Sequence, residues 1–200
     1  KYVGGSPTNI SIGCSRLGLK SALITRVGNE HMGRFVIEQL RREGVNVSNI
    51  KTDKDRLTAL VLLGIKSQDQ FPLIFFRENC ADMALCEDDI EEDFIKNSKS
   101  VLVTGTHFST KTVSDASFKA MKIAKKFNKE VILDIDYRPN LWEMGKHDEG
   151  ESRFKENLSV TNHIQNILSY CTLIVGTEEE WNIAGGRNDT LESMKVCRKI

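Results

Sequence analysis

No apolar run in the 200 residues approaches the roughly 20 needed to cross a bilayer, so no membrane partner is expected. Charge of one sign is missing too. Lys and Arg number 28 and Asp and Glu number 28, a formal net charge of zero, which leaves no electrostatic footprint for nucleic acid or an anionic surface. An anionic ligand would have to be held by local charges. The five cysteines, Cys14, Cys80, Cys86, Cys171 and Cys197, are odd in number, scattered and without a C-x-x-C pair, which reads as a reduced, cytoplasmic setting. Cys80 and Cys86 have no histidine nearby, so they read as small packing residues, not metal ligands. Neither G-x-x-x-x-G-K-[ST] nor G-x-G-x-x-G occurs, which argues against P-loop nucleotidases and NAD enzymes. No Ser/His/Asp or Cys/His spacing prompts a hydrolase reading. A signal-peptide pattern is lacking, and the sequence opens on Lys1 in mid-motif, which reads as a fragment.

What is present begins in the first residues. Gly4-Gly5-Ser6-Pro7-Thr8-Asn9 crowds two glycines, an amide and a helix start into one short loop. Paired glycines allow positive φ and close approach of a ligand; Pro7 suits a first helical turn and Ser6 an N-cap that exposes free N–H groups. Asn9 offers an acceptor and two donors to hydroxyls.

At 40% hydrophobic content the chain can bury one good-sized core, and one main domain is the default. Helix is expected over 7–17 with Gly18 after its end, a buried strand over 21–27, and a helix over 31–43 closed by Gly44. In that second helix Met32, Phe35, Val36 and Leu40 form an apolar stripe for a sheet. Two β-rich runs, 57–65 and 71–76, flank a polar turn at 66–70 and predict a hairpin. The acidic run 87–93 reads as a solvated helix start. Strand is expected over 100–104, helix over 113–127 with Ala116, Ala120, Ala124 and Phe127 on one face, and strand over 131–135. A polar loop over 134–150 carries Trp142; an amphipathic segment near 160–168, a strand over 172–175 and a helix from Thr177 follow. Alternation of this kind predicts a parallel sheet with flanking helices.

Ligands of such sheets sit beyond the carboxyl ends of the strands. Four ends carry polar residues: Gly28-Asn29-Glu30, Gly105-Thr106-His107, Asp134-Ile135-Asp136-Tyr137-Arg138 and Gly176-Thr177-Glu178-Glu179. Arg77, after the second hairpin strand, has a guanidinium fork suited to a carboxylate, or else pairs with Glu78 or Asp82. Asp134 reads as a turn cap, and His107 could donate to a substrate hydroxyl, with packing the plainer role.

The glycine pair, Asn9, Ser11, Gly18 and Gly28 resemble, position for position, the amino-terminal signature of the ribokinase-like (PfkB) sugar kinases. The resemblance implies an α/β fold: a doubly wound, mainly parallel sheet with helices on both faces and a small β-hairpin lid, inserted at about 55–80 and able to mediate a homodimer. It implies a partial domain over 1–200, incomplete at its carboxyl-terminal side, and phosphoryl transfer from ATP with Mg²⁺. In that family the glycine pair, here Gly4 and Gly5, hinges the lid, and the asparagine contacts sugar hydroxyls. Phe75-Phe76-Arg77 is similar to the patch of 2-keto-3-deoxygluconate kinases, and the run 77–85 looks still more like 5-dehydro-2-deoxygluconate kinases of inositol catabolism. A sugar acid phosphorylated on its primary hydroxyl is the implied substrate. Asp134, Asp136, Arg138, Asn140 and Trp142 resemble the Asp-x-Asn-x-Arg stretch and following Leu-Trp of such enzymes, with Asp136 in place of asparagine. Arg138 would hold phosphate or the sugar carboxylate, with Asp136 beside it on the nucleotide side. Glu179 falls where an Asn-x-x-Glu motif counted from Gly176 would put its glutamate, a magnesium organiser acting through water, although Gly176 replaces the asparagine. The family's catalytic aspartate lies in a Gly-Ala-Gly-Asp segment that does not occur in these residues. By the resemblance no catalytic base lies within 1–200: it is expected beyond Ile200, and the chain alone is expected to be inactive.

Overall fold

The computed structural model describes residues 2–65, 73–142 and 157–200. The turn expected at 66–70 and the far part of the 134–150 loop, with His147, lie outside the described residues. In chain order come α1 (Ser6–Arg16), β1 (Thr25–Gly28), α2 (His31–Arg42), β2 (Ile50–Asp53), β3 (Leu60–Leu63), β4 (Leu73–Phe76), α3 (Glu92–Lys96), β5 (Ser100–Thr104), α4 (Lys111–Lys126), β6 (Glu130–Asp134), α5 (Leu158–Leu168), β7 (Leu173–Val175), α6 (Glu178–Gly185) and α7 (Thr190–Cys197).

The strands form three sheets among the described residues. β1 and β2 are parallel, as are β5, β6 and β7 in that order, while β3 and β4 make the antiparallel hairpin with Leu60 opposite Phe76. The parallel arrangement and the hairpin are therefore as expected. The first strand is shorter than expected: Ala22 makes only an isolated bridge to Asn46, and regular pairing begins at Thr25.

Two cores hold these layers. Leu23, Val27, Leu40, Val45 and Ile50 close the first pair of strands under α2, where Glu30 caps the helix by accepting from the amides of Met32 and Gly33. The larger core joins β5 and β6 to α4, α5 and α6; Ala116, Ala120 and Ala124 are fully or almost fully buried, and small side chains let α4 approach the sheet closely.

The acidic run is in part the solvated helix start expected, since Glu91, Glu92 and Asp93 are exposed where α3 begins, but its upstream half differs. That half forms a short 3-10 turn, Glu87–Asp89, before α3, and Asp89 is buried. The Arg26 guanidinium reaches it twice, Nε to Oδ2 at 2.6 Å and Nη2 to Oδ1 at 3.1 Å. A sequence count of charges cannot tell a solvated acid from one folded onto an arginine 63 residues away.

Candidate functional site

The α1 amino terminus, the hairpin root and the carboxyl ends of β5 and β6 carry the polar residues. Gly5 is the N-cap of α1 with φ +93° and ψ 144°, a region open in practice only to glycine. It offers no side-chain cap. Ser6 therefore is not the N-cap: it stands one residue inside the helix, and its hydroxyl donates to Asp134 Oδ2 at 2.9 Å. Asp134 thus ties the start of α1 to the end of β6 instead of capping a turn. Gly4 does not take positive φ, and Gly4, Gly5 and Asn9 are exposed at the open end of this loop.

Two residues beyond Asp134, Asp136 is 6% exposed and takes φ +33°. Arg138 Nη2 contacts its Oδ1 at 3.0 Å. Burial raises the Asp136 carboxyl; Arg138 opposes that, while the charges of Asp134 and Glu180 push it further up. Glu180 is an acid that the sequence places at the start of a helix and not in the site. It is buried, and its Oε2 accepts from the Thr177 amide at 2.9 Å in a capping box, so the Thr-x-x-Glu spacing was the available signal. Glu179 is exposed in the same first turn.

Beside this cluster, β5 and β6 run so close that a Cβ on Gly105 would sit 1.9 Å from the Ile135 carbonyl oxygen, which only glycine permits. Next to it stands a second group. Arg77 Nε donates to Asp82 Oδ2 at 2.6 Å, both side chains being mostly buried. Of the two sequence alternatives for its internal partner, the structure contains Asp82. The other oxygen, Oδ1, is buried without a hydrogen-bond partner. His107 faces this pair: burial first, then the Arg77 charge, lower its imidazole to about 4, against the opposing pull of Asp82. It is neutral at physiological pH.

The hairpin root is bound tightly to the parallel layer. Glu30 Oε1 accepts from the Thr58 hydroxyl at 2.5 Å, and Thr58 Oγ1 accepts from the Gly28 amide at 3.0 Å. Asp53 Oδ1 accepts from the amides of Asp55 and Arg56, and Arg56 Nε donates to Asn79 Oδ1 at 3.1 Å. Both strands of the hairpin are thereby pinned to the ends of β1 and β2.

Among the described residues no three His, Cys, Asp or Glu assemble into a metal-ligand set. The donors present, Asp134, Asp136 and Glu180 with one close arginine, fit a hydrated magnesium ion carried on phosphates but not an all-protein cage. An apolar cavity of about 10 Å³, lined by Phe108, Ile135, Tyr137 and Trp142 among others, has room for at most one water and belongs to the core. Ile200, the residue beyond which the base is expected, follows α7; its side chain is exposed and cannot take a proton, and its amide donates to the Cys197 carbonyl at 3.2 Å. It contributes nothing to the polar cluster.

Parallel layers with a rooted β-hairpin over charged strand ends define a ribokinase-like α/β fold. Solved relatives agree: a PfkB protein from Polaromonas sp. JS666 superposes with TM-score 0.86 at 24% identity, over 100% of this chain and 64% of that one. A fructokinase from Xylella fastidiosa, solved also with ATP bound, gives TM-score 0.84 at 19% identity over 98% of this chain and 59% of its own. Two curated proteins named 5-dehydro-2-deoxygluconokinase are more similar in sequence. That of Geobacillus kaustophilus (strain HTA426) is 36% identical over 92% of this chain and 51% of its own length; that of Halalkalibacterium halodurans is 33% identical over 100% and 57%. The chain thus spans about half the length of the curated relatives it matches. The family model for pfkB family carbohydrate kinases matches residues 1–200, and the chain belongs to that family.

Proposed function

We propose that this chain carries the sugar-binding half of an ATP-dependent kinase whose substrate is a sugar acid, with 5-dehydro-2-deoxy-D-gluconate as the acid that fits best. The observation that carries the reading is Arg77: a mostly buried guanidinium at the root of the hairpin, oriented through Nε by Asp82 and set beside a neutral histidine. Asp82 takes the Nε edge, and the terminal nitrogens can form charge-assisted bonds with a substrate carboxylate that a neutral sugar lacks. The curated relatives named for this substrate support the same choice.

In this reading the exposed Gly4-Gly5 loop and Asn9 receive the sugar hydroxyls as the hairpin closes. Arg138 and Asp136 stand toward the transferred phosphoryl group. Glu179, exposed at the start of α6, organises magnesium through water, with buried Glu180 adding negative charge behind it. Bound magnesium would neutralise the β- and γ-phosphate oxygens of ATP. Transfer makes a bond from the substrate's primary hydroxyl oxygen to the γ-phosphorus, breaks the bond to ADP and passes the hydroxyl proton to a base. Up to Ile200 the sequence has no Gly-Ala-Gly-Asp segment to supply that base, so these residues by themselves bind and position the acid without turnover. 2-Keto-3-deoxygluconate is the runner-up acid.

The hairpin also supports a homodimer. All four residues of β3 are exposed, and Leu60, Val61, Leu62 and Leu63 point alternately to its two faces, so both are apolar. One face covers the sugar and the other meets a second copy. Five free cysteines suit a reducing cytoplasm.

Calorimetry with 5-dehydro-2-deoxy-D-gluconate, D-gluconate and D-fructose tests the reading. Binding of the acids in preference to fructose, lost by about tenfold or more in Arg77→Ala, is expected for a charge-assisted contact. Fructose bound by wild type as tightly as the acids, or acid binding unchanged in Arg77→Ala, would overturn it.

A further inference from the structure

The Arg77–Asp82 pair contains an atom that folding leaves unsatisfied. Asp82 Oδ2 takes the Nε edge of Arg77 at 2.6 Å, yet Oδ1 of the same carboxylate is buried and accepts nothing. A buried anionic oxygen without a donor is costly, and such a group calls for one from outside the fold. This one lies at the hairpin root, beside His107 at the carboxyl end of β5, where the substrate is proposed to enter.

A guanidinium already paired with one carboxylate can serve a second, as this protein shows elsewhere: Arg26 holds Asp89 through Nε and Nη2 while Nη1 reaches Asp53 Oδ2 at 3.4 Å. Pairing with Asp82 thus orients Arg77 without exhausting it. Resting on the sugar-acid reading above, we propose that Asp82 is a second recognition residue: the substrate carboxylate takes the terminal nitrogens of Arg77, and Oδ1 of Asp82 accepts the hydroxyl at C3, the one two carbons from the carboxyl carbon. The arginine thereby reads the acid and the aspartate reads the adjacent hydroxyl. A sugar acid lacking that hydroxyl leaves Oδ1 orphaned, and a neutral sugar leaves Arg77 with Asp82 alone.

The test is a cycle of two proteins and two ligands, read by calorimetry on chains with matching near-UV circular dichroism. Wild type should bind 5-dehydro-2-deoxy-D-gluconate about tenfold or more tighter than its 3-deoxy analogue. Asp82→Asn should bind the parent acid about tenfold more weakly and distinguish the two ligands by about twofold or less. Should Asp82→Asn lose the wild-type spectrum, Asp82→Glu takes its place: it keeps the charge for Arg77 but moves both oxygens, and must lose the same preference. A variant that keeps the wild-type preference, or a wild type that has none, overturns the role of Asp82 while leaving Arg77 and the sugar-acid reading intact. A folded wild type that binds neither acid fails at the earlier step, and both readings fall together.

Discussion

Charged residues that look alike in the sequence divide, in the fold, between ion pairs that hold the layers together and carboxyls buried at the polar end. Arg26 belongs to the first kind: its partner Asp89 is buried, and burial would raise that carboxyl, but the Arg26 hydrogen bonds and the Cys86 amide outweigh it and hold Asp89 below the ordinary value. A depressed carboxyl stabilises the fold above its unfolded value near 3.8 and loses that contribution as pH falls through its folded value. Asp89→Asn should therefore cost about 3 kcal/mol at pH 7, measured by urea titration, with the difference from wild type shrinking as pH falls below 3.8. Asp136 has the opposite sign. Its carboxyl is raised, chiefly by burial, so its ionised form is the disfavoured one in the fold, and Asp136→Asn should leave stability at pH 7 within about 1 kcal/mol of wild type despite the lost Arg138 contact. Asparagine also tolerates the positive φ found there.

At the scale of elements, the start of α1 depends on one backbone conformation. A Cβ on Gly5 would meet no atom within 4 Å, so a substitution there is opposed by the backbone alone. Gly5→Ala should cost about 1–3 kcal/mol in urea titration and loosen the Ser6–Asp134 link, with faster amide exchange over the first turn. Helices with strong stripes and stop residues were legible within one or two residues: α2 ends beside Gly44, and α4 presents the alanine face expected of it. The hairpin was legible from its two β-rich runs. Ser6 was misread because any Ser before Pro looks like a cap, whereas positive φ had already moved the cap to Gly5. Asp82, Glu180 and the buried state of Asp89 were not legible as site or core residues, since their roles are set by partners brought in by tertiary folding.

Taken whole, the molecule shows a polar end where α1, the hairpin and the ends of β5 and β6 meet, and an apolar hairpin beyond it. The exposed residues of β3 should support self-association: wild type should sediment as a dimer at micromolar concentration, and Val61→Lys, which puts a charge on one hairpin face, should sediment as a monomer with an unchanged circular dichroism spectrum. Family membership fixes the architecture, while the sugar-acid specificity proposed above rests on Arg77 and its neighbours. The most direct test of that specificity is a crystal structure of the chain with 5-dehydro-2-deoxy-D-gluconate. The account predicts the ligand carboxylate within hydrogen-bond distance of the terminal nitrogens of Arg77, with Asp82 still on Nε. A sugar bound with its carboxylate turned to solvent, or placed away from the hairpin root, would contradict it.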